Sequence, residues 1–138
     1  MIDTRTAPYA AFVLRLALGT MFLAHGLTKV LVFTLPGTAQ FFESVGFPGF
    51  LAYPVAFAEV GGGALLLLGI APRLVAALLL PVLIGASTVH FANGWSFANP
   101  NGGWEYPVFL VIAALVQALV GDGALTLKST ASLFGNRR

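Results

Sequence analysis

Four long apolar stretches dominate the chain, separated by clusters of Gly, Pro, Asn and charge. They cover approximately residues 9–33, 50–70, 74–93 and 104–121. Each is apolar nearly all round, whereas a helix of a soluble bundle carries an apolar stripe and a polar back. At roughly 17–25 residues each, and about 1.5 Å per residue, they match a hydrocarbon layer of about 30 Å. The pattern predicts an all-α, polytopic membrane protein built as a bundle of four transmembrane helices, in a single domain.

The breaks carry their own signals. The second stretch ends at Gly69-Ile70-Ala71-Pro72, and the third holds Pro81, which a membrane helix tolerates with a kink. Pro107 suits the first turn of the fourth, and Gly121 or Gly123 suits its C-terminal cap, with Asp122 in that cap or turn. The first stretch is too long for a signal-peptide core and has Arg15 inside it, so it reads as a retained span. Segment 36–48 is too short and too polar to cross. Its Phe41, Phe42, Val45 and Phe47 predict a short helix lying at the outer interface. In the turn-rich loop 93–104, Trp95 and Trp104 read first as interfacial anchors, and Trp104 also as a candidate ligand contact.

Composition sharpens the membrane reading. The 138 residues are 58% hydrophobic and 9% charged, with mean hydropathy +0.90. A soluble domain carries about 25% charged residues. The seven Lys and Arg are dispersed, which excludes a nucleic-acid partner and leaves the lipid bilayer as the main one. With no cysteine, disulfide exchange, thiolate catalysis, iron–sulfur clusters and thioether-linked haem all fall away. Arg5, Arg73, Lys128, Arg137 and Arg138 flank the spans on one side. The positive-inside rule then places both ends of the bundle and the Arg73 loop in the cytoplasm.

Ionisable groups inside a span are costly and tend to face the bundle interior. Counted from the cytoplasmic face, Arg15 lies roughly 10 Å deep, Glu59 18 Å, Glu105 24 Å, His25 25 Å, His90 27 Å and Lys29 31 Å. Arg15, Gly19, Phe22, Gly26 and Lys29 form one seam at helical spacing. Gly61, Gly62 and Gly63 allow a neighbouring backbone to come close. Glu59 is expected to pair with Arg15 or Lys29 or to act as a functional carboxylate, and the two roles are not exclusive. Gln117 is expected to make an interhelical hydrogen bond.

The expected sum is a polar cavity in the outer half of the membrane, holding His25, Lys29, Glu59, His90 and Glu105. Two imidazoles and two carboxylates can move protons near neutral pH, and Lys29 can hold a carbonyl or oxyanion. That suits a quinone headgroup, with Lys29, Arg15 and Trp104 as ligand contacts. It equally suits a small polar solute. Axial haem ligation by His25 and His90 is disfavoured in so small a fold. A metal site is disfavoured because nothing in the spacing marks one.

In order along the chain stand R-x-x-x-G (Arg15, Gly19), H-G-x-x-K (His25, Gly26, Lys29), V-G-F-P at 45–48 and A-E-x-x-G-G (Ala58, Glu59, Gly62, Gly63). L-G-x-x-x-R (Leu68, Gly69, Arg73), His90, Glu105 and G-D-G at 121–123 follow. Over roughly residues 12–127 this pattern resembles the DoxX family of bacterial and archaeal membrane proteins. The resemblance implies a four-helix protein of the bacterial cytoplasmic (inner) membrane. Some members look like small subunits of quinone-linked oxidoreductases, such as thiosulfate:quinone oxidoreductase. The cysteine chemistry of related thiol oxidoreductases does not carry over. Three functions stay open: a quinone-interacting oxidoreductase subunit working with a soluble redox partner, a non-catalytic anchor or assembly subunit, and a homo-oligomeric small-solute permease.

Overall fold

The computed structural model describes residues 2–135. Arg137 and Arg138, which contribute to the charge argument above, lie outside the described residues. Helix α1 spans Ala7–Leu27 and runs on as a π-turn over Thr28–Val32. Helix α2 spans Leu35–Ser44, with the Thr34 hydroxyl accepting from the Gly37 N–H (3.2 Å) as its N-cap. A single turn at Gly49–Leu51 leads into α3, Ala52–Leu68. Helix α4 spans Pro72–His90, passing through Pro81, and α5 spans Glu105–Val120. A short helix, α6, covers Thr130–Leu133. Among the described residues there is no strand, only an isolated bridge between Ile70 and Lys128.

Three helices are long and apolar enough to cross a membrane: Ala7–Val32, Gly49–Leu68 and Pro72–Asn93. Helix α5 lies where the fourth span is predicted but has 16 residues, or about 24 Å of rise. Phe57 on α3, Leu78 on α4 and Phe109 and Leu119 on α5 all point outward, 65–81% exposed. Such faces are unstable against water over this area and match acyl chains instead. This is a multi-pass membrane protein. Between the helices, Leu18, Phe22, Leu66, Leu79, Leu83 and Leu110 form the core.

Helices α1 and α3 touch backbone to backbone. A Cβ on Gly63 would sit 2.6 Å from the Leu23 nitrogen and 2.8 Å from the Gly19 oxygen. Neither neighbour is a flexible side-chain end, so the helices themselves would have to part. Gly63→Ala is therefore expected to cost about 1–3 kcal/mol by overpacking. Gly61→Ala meets nothing within 4 Å and is expected to be close to neutral. Unfolding both variants with SDS in mixed micelles checks the contrast.

One end of the bundle is tied together by the segment after α5. The Ala124 N–H donates to the Pro8 carbonyl (2.8 Å), and the Ala71 N–H donates to the Lys128 carbonyl (2.8 Å). The Asp122 carboxylate accepts from the Arg73 N–H (3.1 Å) at the start of α4 and from the Thr130 N–H (2.7 Å). Asp122 thus joins two elements rather than closing α5 alone. Gln117 departs from expectation: its side-chain amide donates to the carbonyl of Gly121 (2.8 Å), the residue that ends its own helix, so the bond is local.

Candidate functional site

The site begins with the glycine seam on α1. A Cβ on Gly26 would lie 3.0 Å from the Glu59 Cβ, so glycine there lets α3 bring Glu59 against α1. Three residues on, Lys29 sits in the π-turn, where the Phe33 N–H reaches back five residues to the Thr28 carbonyl (3.0 Å). Such turns alter the angular position of the side chains they carry and recur at functional sites. Lys29 Nζ donates to Glu59 Oε2 at 2.7 Å, with side-chain exposures of 21% and 7%. Of the two cations expected to compete for Glu59, Lys29 holds it.

His25 lies four residues before Lys29, with its ring edge-on to Tyr106 of α5 (centroids 6.3 Å apart). His90 ends α4. Its Nδ1 is 2.9 Å from the Gly102 carbonyl oxygen, which can only accept. Nδ1 therefore carries the hydrogen, and Nε2 of the neutral ring is left as an acceptor. The second nitrogen is thus assigned by the loop that follows α4.

One cavity of about 450 Å³ brings His25, Lys29, Glu59 and His90 together, with Tyr106 in its wall. Its remaining surface is largely apolar: Phe41 and Phe42 of α2 and Val45 just after it close one side, and Leu83 and Leu110 line another. The size falls within the usual range for a small-molecule site. Lys29 donates, Glu59 and His90 accept, and the paired Lys29 and Glu59 charges cancel. Among the described residues no group of three or more His, Asp or Glu side chains is arranged to hold a metal ion.

Three candidate residues lie elsewhere. Arg15 is fully buried about 15 Å along α1 from His25. There it donates to the carbonyls of Leu66 (3.0 Å), Ala124 (2.8 Å) and Leu125 (2.7 Å). It joins α1, α3 and the segment after α5, and does not line the cavity. Glu105 accepts from the Phe97 N–H at 2.6 Å and so orders the 93–104 loop. Trp104 packs edge-on against Trp95 (centroids 4.7 Å apart) and near Phe91. Tyr106 was not among the predicted site residues. Its hydroxyl is buried without a protein partner, a polar atom inside an apolar run, which is the signal that could have found it.

The family profile described as DoxX matches residues 10–92, which take in α1 apart from its first turn, α2 through α4, the seam, the Lys29–Glu59 pair and both histidines. The chain belongs to the DoxX family. A relative from Bacillus subtilis (strain 168), named "Putative oxidoreductase CatD", is 38% identical over 115 residues, covering 83% of this chain and 81% of the relative. No solved structure matches. In this DoxX protein, then, the matched residues carry every titratable group that lines the cavity except Tyr106.

Proposed function

We propose that this DoxX-family protein is the quinone-interacting membrane subunit of an oxidoreductase, set in the bacterial cytoplasmic membrane by four spans. On this reading α5 is the fourth span, as its exposed Phe109, Ile112 and Leu119 suggest. The bundle end carrying Arg5, Arg73 and Lys128 faces the cytoplasm.

The observation that carries the reading is the composition of the cavity: apolar walls with donor and acceptor groups gathered from four helices. A quinone headgroup accepts hydrogen bonds when oxidised and donates them when reduced. Lys29 suits the first state, while Glu59 and the free nitrogen of His90 suit the second. The Lys29–Glu59 pair is neutral as a unit, so a neutral headgroup enters without leaving an uncompensated charge. An anionic amphiphile would not have that advantage. His25 stands beside the pair, where an imidazole can pass a proton from one ring nitrogen to the other. When bound, a quinone would supply the two-electron chemistry that the side chains cannot. The oxidoreductase name of the Bacillus relative agrees with such a role. Electrons would come from a redox partner protein, because the residues of this cavity bind and move protons only.

The test is thermal denaturation of nanodisc-embedded protein during titration with a short-chain ubiquinone analogue. The midpoint is expected to rise with the logarithm of quinone concentration. His90→Gln and Glu59→Gln are each expected to weaken apparent affinity about tenfold, the scale of one lost charge-assisted or buried hydrogen bond. A wild-type midpoint indifferent to quinone would refute the reading.

A further inference from the structure

A second cavity, of about 570 Å³, lies between the π-turn and α2. It shares four lining residues with the first: His25, Lys29, Phe41 and Phe42. Two side chains that bear protons and two phenyl rings therefore stand between the two spaces. Beyond those four, the two cavities are built differently. The first continues along the apolar residues of α3, α4 and α5 and takes in Glu59 and His90. The second adds Thr28, Thr38, Phe33 and Gly37, and no carboxylate.

The walls of the second space are mostly apolar, and the groups that water could use there are the Thr28 and Thr38 hydroxyls together with the shared His25 and Lys29. The Thr28 hydroxyl donates to the Ala24 carbonyl (2.8 Å), which leaves its lone pairs available. The Thr38 hydroxyl lies 3.1 Å from Lys29 O and 2.9 Å from Thr34 O, binding α2 to the π-turn beside the cavity. Gly37 leaves the cavity rim bare: a Cβ there would meet only the Thr34 hydroxyl, at 3.3 Å. A water held in a protein needs a few polar partners and room for about one molecule, and both are present at this rim. The titratable groups around His25 are Lys29 on its own helix, Glu59 on α3, His90 on α4 and Tyr106 on α5, while α2 presents Phe41 and Phe42. His25 is thus the group through which a proton in the first cavity can reach the second.

We propose that the second cavity is an aqueous vestibule through which His25 and Lys29 exchange protons with the membrane face opposite the Arg73 loop. The proton's purpose rests on the quinone reading above, but the water path does not. It makes proton exchange at the site one-sided, with the Phe41 and Phe42 rings as the partition.

The absence of cysteine from the sequence makes the test clean. His25→Cys and Thr28→Cys are each made singly and treated in sealed vesicles with a membrane-impermeant sulfonated methanethiosulfonate. Both thiols are expected to react from the face opposite the Arg73 loop and not from the other, since reaction needs a hydrated thiolate. Adding Gly37→Leu, which fills the rim, is expected to slow both at least about tenfold. Phe57→Cys, on the 81%-exposed outer face of α3, is expected to stay unmodified in hydrocarbon. Should His25→Cys fail to fold, Thr28→Cys carries the test alone. Folded protein whose thiols do not react, react from the Arg73 face, or react equally with Gly37→Leu would overturn the vestibule. None of these results depends on quinone, so the two readings fail separately.

Discussion

Replacing Arg15 with Met is expected to unfasten one end of the bundle and to cost about 4 kcal/mol or more. The guanidinium makes three hydrogen bonds to carbonyls from two distant parts of the chain. Bonds to a charged donor are worth about 1.5–3 kcal/mol each, and a carbonyl left without a partner in this interior pays for its lost hydration as well. The loss compares with a total stability of about 5–15 kcal/mol for a typical domain. Arg15→Lys keeps the charge but supplies one compact ammonium where a planar fork reaches both Leu66 and the pair Ala124 and Leu125. It is expected to recover only part of the loss. SDS titration in mixed micelles measures the stability change. Trypsin cleavage at the exposed Lys128 provides a local readout, because that segment is held partly by Arg15. Faster cleavage with an unchanged SDS midpoint would show that Arg15 anchors the segment alone and not the bundle.

Arg15 also shows where reading the sequence succeeds and where it stops. Its position on the inward seam was legible, because Arg15, Gly19, Phe22 and Gly26 repeat at helical spacing and all four are buried. Its partners were not, because Ala124 and Leu125 lie more than a hundred residues away, in a segment with no periodic signal. Depth counting predicts height along a helix and says nothing of angle around it. Lys29 and Glu59 therefore meet as one of two allowed pairings. Glu105, predicted at the same height as His25, instead turns to the Phe97 N–H. The π-turn escapes a reading that assumes 3.6 residues per turn, although it carries Lys29. Helix positions were the most legible feature, since runs of apolar residues encode them directly. The second and third apolar stretches, 50–70 and 74–93, coincide within two residues with the long apolar helical segments Gly49–Leu68 and Pro72–Asn93.

The Lys29–Glu59 pair yields the second large effect, and it separates architecture from function. Lys29→Met leaves the Glu59 carboxylate, 7% exposed, without its counter-ion, and Glu59→Met leaves the Lys29 ammonium likewise. Removing one member of a buried pair costs about 3–5 kcal/mol, because the remaining charge is no longer compensated. The lower end is expected here, since Lys29 retains some exposure and can turn toward the second cavity. The double variant removes both charges and puts apolar side chains of suitable length against the Gly26 contact. Its stability is expected to return close to that of the wild type, giving a coupling of about 2 kcal/mol or more between the two positions. Quinone affinity is expected to stay weakened about a hundredfold in the same double variant, because the donor and one of the two acceptors are gone. If the pair served only to hold α1 against α3, restoring stability would restore quinone binding too. The divergence of the two measurements in a single well-folded protein is what distinguishes a ligand site from an internal strut.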